Sequence, residues 1–304
     1  MSYVGRFAPS PTGPLHFGSL VAAVASYCDA KANRGKWLVR MEDLDKPREI
    51  KGAADEILRT LTTFGFEWDK EIVYQSQRAD LYDNALQTLI NQGVAYPCTC
   101  SRKEIADSAI ASGIEGVIYP KTCLKHALKS NTREAFRVVT LNKSIAFMDE
   151  IQGEISQNLA CDVGDFILKR ADGLFAYQFA VVVDDAAQGI THIVRGADLL
   201  NSTPRQIYLQ QLLGFATPHY AHVPIASNIA GDKLSKQTLA QPISTHHPEQ
   251  LIFDALSFLG QNPPSEFKND KSKNATLDEI LRWAITNWNI ANVPKQRQII
   301  THIS

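Results

Sequence analysis

No stretch of this 304-residue chain is apolar for long enough to span a bilayer, which excludes a membrane-crossing helix. Charge of one sign is also missing, because 31 Lys and Arg stand against 32 Asp and Glu. That balance excludes a globally basic nucleic-acid binder, so any RNA must meet a local patch. Cysteine is sparse and odd in number, five in all, and no export signal accompanies it. This points to thiols or metal ligands rather than disulfides. Met1-Ser2-Tyr3 runs straight into a strand-like segment and leaves no room for a cleaved leader, so a cytoplasmic location is expected. No internal repeat appears. What is present, 44% hydrophobic and 21% charged residues, is the make-up of an ordinary soluble protein able to bury one large core or two.

The chain is organised around its first turn. Tyr3 to Ala8 reads as a short buried strand, and the X-Pro steps at Pro9 and Pro11 with Gly13 then force an extended, tightly turned loop. From Ser19 an apolar run reads as a long helix ending near Gly35. A strand, a Pro/Gly turn and a helix start form an anion site, since free N–H groups and the helix dipole face the loop. His16 and Gly18 stand at that point. An imidazole there can donate to a phosphate oxygen, and glycine admits a flat ring or phosphate to the backbone.

Lys36 to Asp43 reads as a second strand, Ile50–Phe64 and Arg78–Gln92 as amphipathic helices, each stopped by a glycine. Strand-helix-strand-helix predicts an α/β, Rossmann-type doubly wound parallel sheet, with ligands beyond the carboxyl ends of the strands, where Glu42 falls. From Tyr96 to about Lys129 the composition turns to cysteine, lysine and glycine and reads as an insertion. Short strands follow at Arg137–Leu141, Ile145–Asp149, Phe166–Arg170 and Phe175–Val183, with Ala171-Asp172-Gly173 as a hairpin turn between the last two. Ile190–Arg195 is another strand, a helix capped by Ser202 or Thr203 runs to Gly214, and Tyr220–Ile225 is the last core strand. A polar loop, Gly231-Asp-Lys-Leu-Ser-Lys-Gln237, precedes two closing helices, Glu249–Leu259 and Leu277–Trp288. The expected division is 1–95 and 181–243 as halves of one catalytic domain, 96–180 as an inserted subdomain and 244–304 as a helical tail.

In the insertion, Cys98-Thr99-Cys100 and Cys123 supply three thiols. Zinc takes four ligands, so one partner is needed, and Tyr119 and His126 are the candidates. Cys28 and Cys161 have no partner in sequence and read as buried thiols.

Taken together, these landmarks resemble a class I aminoacyl-tRNA synthetase of the glutamyl type. Pro9-Ser-Pro-Thr-Gly-Pro-Leu-His-Phe-Gly-Ser19 is similar to the family's first ATP motif, and Lys233-Leu-Ser-Lys-Gln237 to its second. Arg40-Met-Glu-Asp43, Asp184-Asp185 and Val194-Arg-Gly-Ala-Asp198 lie between them in the family's order. Ser19 and Gln237 depart from the family's usual histidine and serine, which bears on rate rather than on reaction type. The resemblance implies that glutamate's α-carboxylate attacks the α-phosphorus of ATP, with catalysis by alignment and charge neutralisation. It assigns ATP to Pro9, Thr12, His16, Gly18, Ser19, Lys233, Ser235 and Lys236, with His16, Gly18 and Lys236 catalytic and Mg²⁺ beside the pyrophosphate. Glutamate carries two carboxylates and one ammonium, which suits Arg6, Arg195 and Glu42. The resemblance adds Phe7, Ala8, Pro9, Ser10 and Tyr177. Short family members carry zinc on a matching Cys-x-Cys, Tyr, Cys set, which implies one structural Zn²⁺ on Cys98, Cys100, Tyr119 and Cys123.

Only 67 residues follow Gln237, too few for the family's anticodon-reading domain. This truncation resembles the glutamyl-queuosine tRNA(Asp) synthetases, which activate glutamate without tRNA and transfer it to the wobble queuosine of tRNA(Asp). A monomer is expected, with no membrane or DNA partner, and Lys121, Lys125 and Arg205 are candidate phosphate contacts. The alternatives are a short glutamyl-tRNA synthetase charging the 3′ end, an inactive zinc-stapled RNA-binding module, and a small-molecule nucleotidyltransferase. The intact glutamate pocket and ATP motifs argue against the last two.

Overall fold

The structure is a computed structural model that describes residues 2–109, 111–114, 116–228, 241–268 and 275–301. The second ATP motif, with Lys233, Ser235 and Lys236, lies outside the described residues.

Strand β1 (Val4–Phe7) leads through the Pro/Gly loop into helix α1 (Phe17–Ala32), which returns to β2 (Lys36–Met41), parallel to β1. Helix α2 (Ala53–Thr63) then leads to the short β3 (Val73–Tyr74), parallel to β2. The apolar runs behave as their pattern predicts: β2 is buried at Trp37 to Met41, and α1 is apolar nearly all round because it is enclosed on several sides. Asp69 holds the start of β2 by accepting from Trp37 N at 2.7 Å.

The second half of the sheet begins where Val4 and Thr191 bond across the chain, Thr191 N to Val4 O at 2.9 Å and Val4 N to Thr191 Oγ1 at 2.8 Å. They bring β1 alongside the strand His192–Gly196, which pairs in parallel with His219–Val223 across the helix Thr203–Leu213. Strand succession therefore reverses beside β1. At such a switch point, loops leave the carboxyl ends of adjacent strands in opposite directions and open a crevice for ligands.

Several elements differ from the sequence reading, three of them around the sheet that carries the site. Phe175–Val183, expected as a strand, belongs to a helix, Tyr177–Gln188, stopped by Gly189 at φ 67°. A run of Phe, Ala and Val fits a buried strand or a buried helix equally, and only the helix's length and its left-handed glycine stop decide. Ala171-Asp172-Gly173 does make a tight turn, but it supports a single bridge, Lys169 to Phe175, before the helix starts. The polar strand Gly153–Asn158 carries no apolar alternation and escaped notice. It forms an antiparallel hairpin with Ser144–Asp149, and Tyr220 pairs with Asp149 to join this hairpin to the parallel sheet.

The closing helices, Pro248–Phe258 and Leu277–Asn287, pack against α1. Phe17 meets Phe258 edge-on at 5.9 Å, and Trp288 Nε1 donates to Asp29 Oδ1 at 2.9 Å. Among the described residues no helix is long and apolar enough to cross a membrane. Cys28 is buried as expected, whereas Cys161 is exposed, since the short turn that carries it lies at the surface.

Below the sheet's carboxyl edge, fully buried Asp184 accepts from Gln75 Nε2 at 2.7 Å, Arg78 Nε at 2.6 Å and Tyr82 OH at 2.8 Å. Asp184→Leu strands these donors and removes one of the three carboxylates around buried Arg40. We expect a loss of about 3–5 kcal/mol in urea unfolding; a loss under about 1 kcal/mol would deny Asp184 that role.

Candidate active site

The loop after β1 is shaped by its own backbone. Thr12 N donates to Ser10 O at 2.8 Å, Gly13 takes φ 138°, and Ile50 N closes on Pro11 O at 3.0 Å. Glu42 N donates to Pro9 O at 3.0 Å, tying the end of β2 to this loop. His16 caps α1 by accepting from Ser19 N through Nδ1 at 3.3 Å, and its Nε2 lies 3.0 Å from Ser19 Oγ. Gly18 and Ser19 thus sit in the first helical turn, where the positive end of the helix dipole favours an anion. Ser19, which departs from the family's histidine, holds the imidazole from below.

Arg6, Glu42 and Arg195 are gathered at the carboxyl ends of their strands. Arg6 Nε lies 3.3 Å from Asp185 Oδ1, and Arg40 Nη2 lies 2.8 Å from the same oxygen. Arg40 also reaches Glu42 at 3.4 Å and Asp184 at 3.8 Å, and donates to Gln188 Oε1 at 2.6 Å. Burial resists ionisation of Asp185, but Arg6 and Arg40 outweigh it and hold that carboxyl below its usual range. Glu42 fares otherwise: its side chain is 7% exposed, burial dominates, and its pKa is pushed up to about 7 despite Arg40 and Arg6. The Tyr177 phenol is raised to about 12, first by burial, in a field shared by Arg195, Glu42, Arg6 and Asp185. Four predicted glutamate contacts therefore act on one another electrostatically across the switch-point crevice.

The other predicted residues divide by position. Phe7 stacks on Trp37 at 6.1 Å inside the core, so only its backbone is left for a ligand. Pro9 is buried, Ala8 half-buried and Ser10 exposed along the loop. Arg205 is 6% exposed and Lys121 is tied to Asp165 at 3.2 Å, which removes both as free phosphate contacts and leaves Lys125 exposed. Sequence reasoning named Arg40 and Asp185 only within motifs and missed that they buttress the site. The signal was a lone arginine in Trp-Leu-Val-Arg-Met, where a buried charge demands buried partners.

In the insertion, the sulfurs of Cys98, Cys100 and Cys123 lie within 4.8 Å of one another. Tyr119 OH sits among them, 3.4 Å from Cys98 Sγ and 3.5 Å from Cys100 Sγ, and accepts from Cys123 N at 2.8 Å. Arg137 lies over the Tyr119 ring at 4.1 Å. His126 is exposed and falls outside this group. Three thiols beside a phenol, in a pocket without a disulfide, form a donor set that can hold a metal.

Residues 3–266 match the model of the tRNA synthetases class I (E and Q), catalytic domain. The chain belongs to that family. It is 54% identical over 296 residues to the glutamyl-Q tRNA(Asp) synthetase of Aromatoleum aromaticum, covering 97% of this chain and 92% of that one. The protein of the same name from Dechloromonas aromatica is 54% identical over 299 residues, 98% of each chain. A crystal structure of the glutamate-tRNA synthetase of Elizabethkingia anophelis superposes with a TM-score of 0.78 at 26% identity, over 97% of this chain and 67% of that one. The α/β architecture with its parallel sheet is thus the class I synthetase fold of the glutamyl branch.

The raised pKa of Glu42 has a definite sign. Folded Glu42 holds its proton to about pH 7, against an ordinary value of 4.5, so ionising it weakens the fold between those values. Glu42→Gln escapes this. The stability of the native protein relative to the Gln variant should fall by about 3 kcal/mol from pH 4.5 to pH 8 in paired denaturant titrations. A pH-independent difference would mean an ordinary carboxylate.

Proposed function

We propose that this chain activates L-glutamate with ATP and transfers it to the queuosine base at the wobble position of tRNA(Asp), in keeping with relatives named glutamyl-Q tRNA(Asp) synthetase. It is a ligase of the class I synthetase type. The observation that carries the reading is that Arg6, Glu42 and Arg195 stand at the carboxyl ends of strands on both sides of the switch point, with Arg195 Nη1 buried and open among the described residues. Two guanidiniums and one carboxylate match the two carboxylates and single ammonium of glutamate.

In this reading Glu42 takes the ammonium while Arg6 and Arg195 take the carboxylates, with Ser10, Tyr177 and the backbone of Phe7, Ala8 and Pro9 lining the ligand. The α-carboxylate oxygen attacks the α-phosphorus, the bond to the β-phosphate breaks, and pyrophosphate leaves. His16, Gly18 and Ser19 at the start of α1, with Pro9 and Thr12, meet the phosphates, and Lys233, Ser235 and Lys236 of the second ATP motif add their cationic and hydroxyl groups. Mg²⁺ bound with ATP would neutralise phosphate charge. A hydroxyl of the modified base's cyclopentene ring then attacks the glutamyl carbonyl, AMP leaves, and an ester forms. No protein nucleophile is needed, so the site works by alignment and by fixed charge.

Cys98, Cys100, Cys123 and Tyr119 would hold one Zn²⁺ as a structural staple of the insertion. The same reading keeps residues 1–95 and 181–243 as halves of the catalytic domain, 96–180 as the insertion and 244–304 as a helical tail. It also treats the chain as a cytoplasmic monomer.

Three outcomes test this. With ATP, labelled glutamate and tRNA, label should enter only queuosine-bearing tRNA and sit on the base; label on the 3′ end would instead favour a short glutamyl-tRNA synthetase. Arg6→Ala should abolish glutamate-dependent pyrophosphate exchange, and near-normal exchange would remove Arg6 from the site. Tyr119→Phe should lose bound zinc while His126→Ala keeps it; full zinc in the Phe variant would refute the tyrosine.

A further inference from the structure

Arg195 reaches the crevice from the strand His192–Gly196, and four of its contacts fix its guanidinium. Nε donates to His222 Nε2 at 3.0 Å, and Nη2 donates to Thr203 Oγ1 at 2.8 Å and Gln206 Oε1 at 2.7 Å. Its Cζ lies 5.5 Å from the centroid of the Tyr220 ring. Nη1 is buried and without a hydrogen-bond partner among the described residues. A buried cationic donor left open is costly unless a ligand fills it.

His222 is fully buried and stands opposite Arg195 in the parallel register. Its Nδ1 lies 2.6 Å from Asp149 Oδ2, and Asp149 Oδ1 accepts from His222 N at 3.1 Å and Gln152 N at 2.9 Å. An arginine has no acceptor, so His222 Nε2 must offer a lone pair to Arg195, and the proton must reside on Nδ1 facing Asp149. Burial and the Arg195 charge keep the ring neutral, with its pKa lowered to about 4 despite Asp149. Asp149 thus selects the tautomer, and the tautomer orients the arginine.

We propose that His222, set by Asp149, is a positioning residue for glutamate: it holds Arg195 by Nε so that Nη1 is the donor left for a substrate carboxylate. This rests on Arg195 being a glutamate anchor. Without the Nε bond the guanidinium is hydrogen-bonded at Nη2 alone and can pivot about that end, so the open donor no longer meets the ligand at a fixed angle.

The test is glutamate-dependent ATP–pyrophosphate exchange by the full chain. His222→Leu should raise KM for glutamate at least about tenfold, with KM for ATP within about twofold, because only an arginine-borne contact is lost. His222→Gln, whose Oε1 can accept from Arg195 while its amide faces Asp149, should recover most of that loss. Should the Leu variant not fold, His222→Asn, too short to reach Arg195 Nε, takes its place against Gln. Unchanged KM for glutamate in the Leu or Asn variant overturns the proposal, as does a parallel rise for both substrates or the absence of Gln rescue. Arg195→Lys separates the two layers. A large effect there with none from the His222 variants removes only the positioning role, whereas no effect removes the anchor and this proposal with it.

Discussion

The molecule depends on a buried cluster of opposite charges at the carboxyl edge of its sheet. Arg6, Arg40 and Arg78 face Asp184, Asp185 and Glu42, and Arg40 and Asp184 have no solvent exposure. Such groups cannot be stranded singly, because each unpaired buried charge costs several kcal/mol. Their residues come from β1, β2, the Gln75–Arg78 turn and the helix Tyr177–Gln188. The chain must therefore bring sequence neighbourhoods more than a hundred residues apart into register before any of these charges is satisfied. Breaking any one of these pairs is costly, even though the net stabilising effect of the whole cluster is small.

It also prepares the chemistry. Asp185 is held ionised between two guanidiniums, which pre-orients Arg6 by a direct contact. Glu42 is left near the balance between its two protonation states. Any cation brought beside Glu42 would tip that balance to the carboxylate. Arg195 completes the set from the other side of the switch point, and its alignment is handed back through His222 to Asp149 on the added hairpin. The hairpin thereby belongs to the site's support as well as to the sheet's edge.

The first turn, the parallel half-sheet, the cysteine trio and the gathering of Arg6, Glu42 and Arg195 at strand ends were legible because each has a local cause. Pro and Gly fix the loop, apolar runs between glycines fix strands and helices, and scarce thiols at close spacing call for a shared partner. Arg205 misled because its charge suggested exposure, whereas the helix Thr203–Leu213 buries it with Nη2 on Ser202 Oγ at 3.1 Å.

By itself the sequence determined the elements, their order and the residue types available to bind two carboxylates, an ammonium and a metal. Only the tertiary structure decided which charges are paired and which stay open. It set Tyr119 rather than exposed His126 among the thiols, and made Phe175–Val183 helical where its apolar run fitted a strand equally. It also placed His222 behind Arg195. The reason is physical: propensity and periodicity act over a few residues, while the solvation of a charge depends on every group that surrounds it in space.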